Sequence, residues 1–212
     1  MNSEFLIIIP SLLNLFLGFA VFRRGENKSL NKIFLLFSLS VFAWSVALFF
    51  YSNPIILNAL IWIKLTYVLS ICVLATGFYF VSLFSGVKKE ITSKLLKFFL
   101  ALITPLVFIL FCTDWWVKEV ILTPRGYHTI TGPVYAFFGL VVGVYSFLTF
   151  YFLFQEYRKA SGIKKLQLKY IFLGITLFGI PAFILDVALP LLLGISEYFW
   201  ISPVFAVFFT LF

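Results

Sequence analysis

The sequence predicts an all-α, polytopic membrane protein of about seven spans, with its N-terminus outside and its C-terminus inside. Three observations carry this expectation. The chain is 63% hydrophobic and only 11% charged, with a mean hydropathy of +1.11. Its apolar residues lie in long unbroken runs, and its Lys and Arg residues gather in alternate connections. A soluble domain carries about 25% charged residues and about half apolar ones, and much of any folded surface still faces solvent. For most of this chain that solvent must be lipid.

At roughly 20 residues per helical span, 212 residues hold six to eight spans with short connections. No room is left for a soluble domain of ordinary size. A barrel is disfavoured because its strands alternate apolar and polar residues in runs of about 10. No repeat, Ser/Gly linker or low-complexity tract divides the chain, so residues 1–212 read as one membrane domain.

The first run, Phe5 to Phe22, has no preceding basic region and no small-residue cleavage site, and Arg23-Arg24 follow it. That order suits an uncleaved first span entering with its N-terminus outside. The second span reads from Ile33 to Tyr51 and the third from Pro54 to Phe84, long enough to tilt. Leu95 to Cys112, Val134 to Tyr157 and about Gln167 to Leu193 give the fourth, fifth and sixth. A seventh opens near Tyr198 and has about 15 residues to Phe212, short of the roughly 20 a crossing needs and without a basic flank. The expectation is a seventh helix cut short, its natural continuation lying in the cytoplasm.

Orientation follows from the connections. The first carries Arg23, Arg24, Lys28 and Lys32, the third Lys88, Lys89, Lys94 and Lys97, and the fifth Arg158, Lys159, Lys164, Lys165 and Lys169. The second and sixth carry no basic residue, and the fourth only Lys118 and Arg125. Basic residues mark the cytoplasmic side, so odd connections lie inside. The net charge of +8 thus reflects topology. No basic run interleaved with exposed aromatics suggests nucleic acid.

Ionisable residues inside a membrane are costly and default to functional candidates. Lys64 in the third span and Asp186 in the sixth lie at matching depths in the outer half, ten residues from Pro54 and eight from Gly194. They could pair and line a vestibule. Equally, Lys64 could snorkel to the outer headgroups while Asp186 bonds to nearby backbone or hydroxyls. Pro181 and Pro190 flank Asp186. Each proline removes a backbone donor, which predicts a kink with polar backbone beside the carboxylate.

The external stretch from Thr113 to Pro133 holds Arg125, Tyr127 and the single His128, with Tyr135 just beyond it. It reads either as a lid over the outer mouth or as a plain interfacial hairpin or short amphipathic helix. Gly139 and Gly143 form a G-x-x-x-G in the fifth span, where small residues let helices approach, within the chain or between two copies.

Catalytic motifs are missing: no G-x-S-x-G, H-E-x-x-H or P-loop is present. No cofactor is implied. A metal site is disfavoured by the lone His128 and by Cys72 and Cys112 in apolar surroundings. The partner that composition itself implies is the bilayer.

Several stretches together carry a family resemblance. The second helix runs from Ser29-Leu30-Asn31-Lys32 to Phe42-Ala43-Trp44-Ser45. The outer segment reads Gly126-Tyr127 and then Gly132-Pro133-Val134-Tyr135. The fifth span leaves through Tyr157-Arg158-Lys159-Ala160-Ser161-Gly162, followed by Gln167-Leu168-Lys169-Tyr170 and Gly174, and the sixth closes with Asp186-Val187-Ala188-Leu189-Pro190 and Gly194. In order and spacing these resemble the N-terminal seven-transmembrane sensor domain of bacterial and archaeal histidine kinases, over nearly the whole chain. The resemblance implies a signal-input domain in the plasma membrane, preceding cytoplasmic modules that end in a phosphoacceptor-histidine and ATP-binding core; it also implies a small-molecule or membrane-borne stimulus of unknown identity and a second copy in a homodimer. The chain has no such core, so it is not expected to be an enzyme itself. The rival reading is a small-molecule transporter, which would want repeated halves and polar groups at mid-depth.

Overall fold

The computed structural model describes residues 5–25, 27–124, 126–206 and 208. Among them, six helices are long and apolar enough to cross a membrane. They are α1 (Phe5–Arg24), α2 (Lys28–Ser52), α3 (Ala59–Phe84), α4 (Lys89–Cys112), α5 (Tyr135–Lys159) and α6 (Gly162–Phe183), the last continuing to Leu193.

Several helices begin where capping chemistry dictates and not where hydrophobicity begins. Asn27 accepts from the Leu30 amide at 3.1 Å and starts α2 at Lys28, ahead of the apolar run. Asn58 does the same for α3, accepting from Ile61 at 2.9 Å. Asn side chains satisfy amides that a helix N-terminus leaves unpaired. Pro54 to Leu57 are therefore not helical, which corrects the expected start of the third span and places Lys64 only a short way inside it. On the cytoplasmic side α4 and α6 begin six and five residues earlier than hydropathy suggests. Lys94, Lys97, Lys164, Lys165 and Lys169 thus stand on helix ends. There their long apolar stems lie along the helix while the ammonium groups reach water.

The α1–α2 contact is built on small and polar residues. A Cβ at Gly18 would come within 2.7 Å of Ser38, and the Ser38 hydroxyl donates to Asn14 at 3.3 Å. In lipid, close approach and interhelical hydrogen bonds replace the hydrophobic drive that packs soluble helices. The α5–α6 turn is short and tied by an ion pair between Lys164 and Glu156, with Lys165 stacked 5.1 Å over the Tyr157 ring.

The external segment is a two-stranded antiparallel hairpin, β1 (Val117–Thr123) and β2 (Gly126–Thr131), an addition to the all-helical expectation. Its residues are rich in Val, Ile, Thr and Tyr, which favour extended backbone. Gly126 supplies the turn with φ +118°, a value that suits glycine. The base of the hairpin closes tightly, because the Gly132 amide donates to the Trp116 carbonyl at 2.8 Å and a Cβ there would collide with the Trp115 carbonyl oxygen.

Beyond α6 the ladder changes pitch. Ile184–Ala188 form a π-helical turn, and Leu189–Leu193 resume as a short helix, α7. Gly194 stops it in the left-handed conformation at φ +66°. The expected bend of the sixth span is thus a widened turn between Pro181 and Pro190. After a connection, Phe199–Phe205 form a 3-10 helix packed against α1, α2, α6 and the π turn. This is where the seventh span opens.

Candidate functional site

Asp186 lies in the middle of the π turn, between α5 and the 3-10 helix. Pro190 has no N–H, so an α ladder through this region would lack the donor for the carbonyl four residues back, that of Asp186. The Tyr135 hydroxyl, from the first turn of α5, donates to that carbonyl instead. The carboxyl group is held separately, by the Ser202 hydroxyl donating to Oδ1. One residue of the broken helix is therefore tied to α5 through its backbone and to the 3-10 helix through its side chain.

Tyr67 of α3 organises the space beside it. Its ring centroid lies 5.7 Å from those of Trp116, Tyr135 and Phe138 and 6.4 Å from that of Phe199. Aromatic pairs at such distances favour tilted and edge-to-face geometry, and most of these pairs adopt it. Trp116 is fully buried. It descends from the foot of β1 into this cluster and closes the outer end of the helix bundle.

The hairpin is clamped down over that closure. Tyr51, on the last turn of α2, hydrogen bonds to the Tyr127 carbonyl at 3.0 Å and to Thr129 Oγ1 at 2.8 Å. Ser196, from the connection after α7, accepts from the Thr129 amide at 2.7 Å and lies 3.1 Å from the Thr129 carbonyl and from His128 Nδ1. His128 is thereby a hydrogen-bond partner of a serine, and no group of three metal-ligating side chains forms among the described residues.

Below the aromatic cluster lies a cavity of about 140 Å³, bordered by Trp44, Thr66, Tyr67, Ser70, Phe178 and Asp186. A second, of about 300 Å³, adjoins it toward the cytoplasmic half. The two share Val73, Leu74, Ser146, Phe178, Gly179 and Phe183 as lining. Both walls are dominated by apolar side chains.

The residues singled out from sequence separate into distinct places. Asp186 and Tyr135 meet. Lys64 is buried, 7% exposed, but no ion pair joins it to Asp186 among the described residues. Ile63 and Tyr67 line the cavity, and Lys64 projects about 100° around the helix from Ile63. Tyr127 belongs to the hairpin clamp, and Arg125 lies outside the described residues. The G-x-x-x-G faces the π turn: a Cβ at Gly139 would come 2.9 Å from Val187 Cγ1, and one at Gly143 3.9 Å from Phe183. Sequence reasoning missed Ser202, Tyr67 and Ser196. The tyrosine was detectable as an amphipathic side chain near mid-span, whereas lone serines carry no signal of their partners.

The family described as the N-terminal 7TM region of histidine kinase matches residues 6–212. No curated protein and no solved structure shows significant similarity to the chain. A match over almost the whole length, on a bundle with six helices long and apolar enough to cross a membrane, settles the grouping: the chain is a multi-pass membrane protein and belongs to the family of N-terminal seven-transmembrane regions of histidine kinases.

Proposed function

We propose that this chain is the membrane-embedded signal-input domain of a plasma-membrane two-component histidine kinase, working as a homodimer. A stimulus acting in the outer half of the bundle changes how the π turn packs, and the change passes through the seventh span to a cytoplasmic output. The observation that carries this reading is the tie between Asp186 and Ser202. It couples the broken helix to the 3-10 segment from which the chain runs on toward its C-terminus. Wide turns of this kind recur at functional sites. A stimulus can shift such an equilibrium only through different affinity for two packings, and a helix whose ladder is already interrupted offers two packings at modest cost.

The test is autophosphorylation by a polypeptide carrying this domain upstream of its kinase core, reconstituted in vesicles. Asp186→Asn and Ser202→Ala are expected to change the basal rate in the same direction. Wild-type rates in both variants, or saturable solute uptake by vesicles carrying the chain, would overturn the reading in favour of another role.

A further inference from the structure

We infer that the two confluent cavities bind a single-chain amphiphile taken from the bilayer, with a hydrogen-bond-donating head at Asp186 and its tail running between α3, α5 and α6. The inference rests on the sensor reading and supplies its ligand class.

Four observations converge on this occupant. The first is the distribution of polarity. The polar residues that line the outer cavity include Asp186, Thr66 and Ser70. Both hydroxyls already donate to backbone carbonyls, Thr66 to Trp62 at 2.9 Å and Ser70 to Tyr67 at 2.7 Å. They therefore offer lone pairs, and a head that donates suits them: an alcohol or an amine. The inner cavity is walled largely by Phe, Val, Leu and Ile, with Ser146 and Thr149 as its hydroxyls.

Length is the second observation. On α3 the lining extends from Ile63 to Val81, roughly 27 Å of helix at 1.5 Å per residue. That approaches the roughly 30 Å hydrocarbon thickness of a bilayer, so the space suits a long chain and not a compact solute. An apolar cavity of this kind stays dry and takes apolar guests.

The third is access. From outside, the route is closed by Trp116 and the Tyr67 cluster beneath a hairpin held at Tyr51 and Ser196. Toward the lipid, the wall is thin. Ile180 and Phe183 line the cavities and are also 48% and 36% exposed on the helix surface. A molecule dissolved in the bilayer reaches the space sideways, whereas one dissolved in external water does not.

The fourth is a gap in the wall itself. Gly179 borders both cavities, and a Cβ built on it would touch nothing within 4 Å. The backbone of α6 is bare on the wall that the two volumes share.

The experiment uses the full chain in lipid nanodiscs and a long-chain primary alcohol bearing a mid-chain photoreactive diazirine. Labelling is expected to saturate, to be competed by unlabelled long-chain alcohol but not by the matching carboxylate, and to map to peptides of α3, α5 and α6. Gly179→Leu should lower the apparent affinity by about tenfold, and Gly179→Ala by less. The alanine variant introduces no clash, so it serves if the leucine variant fails to fold. Asp186→Asn should narrow the preference for alcohol over carboxylate while tail labelling persists. Labelling that spreads over outward residues such as Phe16 and Phe147 and ignores Gly179 would overturn the proposal, as would competition by water-soluble ligands alone. Failure of the sensor reading is visible separately, as site labelling of the chain together with unchanged autophosphorylation when the alcohol is added to the polypeptide that carries this domain upstream of its kinase core.

Discussion

The Ser202 hydroxyl donates to Oδ1 of Asp186, bridging sixteen positions of sequence between a π turn and a 3-10 helix. Neither element is a stable form of helix on its own. Each holds its pitch against a neighbour, and this bond is one of the contacts between them. A double-mutant cycle with Asp186→Asn and Ser202→Ala, read by unfolding in mixed micelles, is expected to return a coupling of roughly 0.5–2 kcal/mol, as for polar pairs between membrane helices. Strict additivity would show that the two groups do not act on each other.

Gly139 governs how closely α5 meets the π turn. Replacing it with leucine places a branched side chain where a Cβ alone would already stand 2.9 Å from Val187. Overpacking of this kind typically costs about 1–3 kcal/mol. The expected outcome is a lower unfolding midpoint together with faster exchange of amides in Ile184–Ala188. A midpoint equal to that of the unsubstituted chain would mean that the helices separate freely there.

The hairpin depends on two hydroxyls. Ser196→Ala removes the acceptor of the buried Thr129 amide and leaves that group without a partner, a loss of about 1–3 kcal/mol. Tyr51→Phe removes a donor to the Tyr127 carbonyl, a loss of about 1 kcal/mol. Hydrogen exchange should rise across β2 in both variants, more in the first, while α2 and α3 stay protected. Uniform change across the whole bundle would argue against a locally clamped hairpin.

Orientation is open to direct measurement. In a background lacking Cys72 and Cys112, single cysteines at Glu119, Lys94 and Lys165 should divide cleanly. A membrane-impermeant thiol reagent is expected to reach position 119 in intact cells and the other two only after permeabilisation. The reverse pattern would invert the topology read from the basic connections.

Much of the architecture is written in composition. Runs of Phe, Leu and Ile long enough to span place the membrane helices, because these follow from average hydrophobicity, and lysines gathered in alternate connections carry the expected orientation. Helix starts were less legible. They depend on single capping residues, Asn27 and Asn58, whose effect outweighs the hydropathy of the residues next to them. The hairpin was obscured for a similar reason. Its strand-forming residues are few, and its stability comes from Tyr51 and Ser196, far away in sequence. At the site, Asp186 announced itself through the cost of a carboxyl group in lipid. Ser202 did not, since a serine in an apolar run bonds to its own helix backbone as often as to a partner, as Ser45 and Thr149 do here.

The π turn also has a consequence in phase. A π segment carries one more residue than the α path over the same span. Deleting Leu185 would take that extra residue out and leave the missing N–H groups of Pro181 and Pro190 as the interruptions of the ladder. Because the wide turn already absorbs that residue, the helix on either side would keep its relative phase, and the change would fall within the turn itself. Asp186 would swing from Ser202, and Val187 from Gly139. The extra residue thus works as a local spacer, setting where the carboxyl group of Asp186 meets Ser202 while the helical stretches before and after it stay aligned.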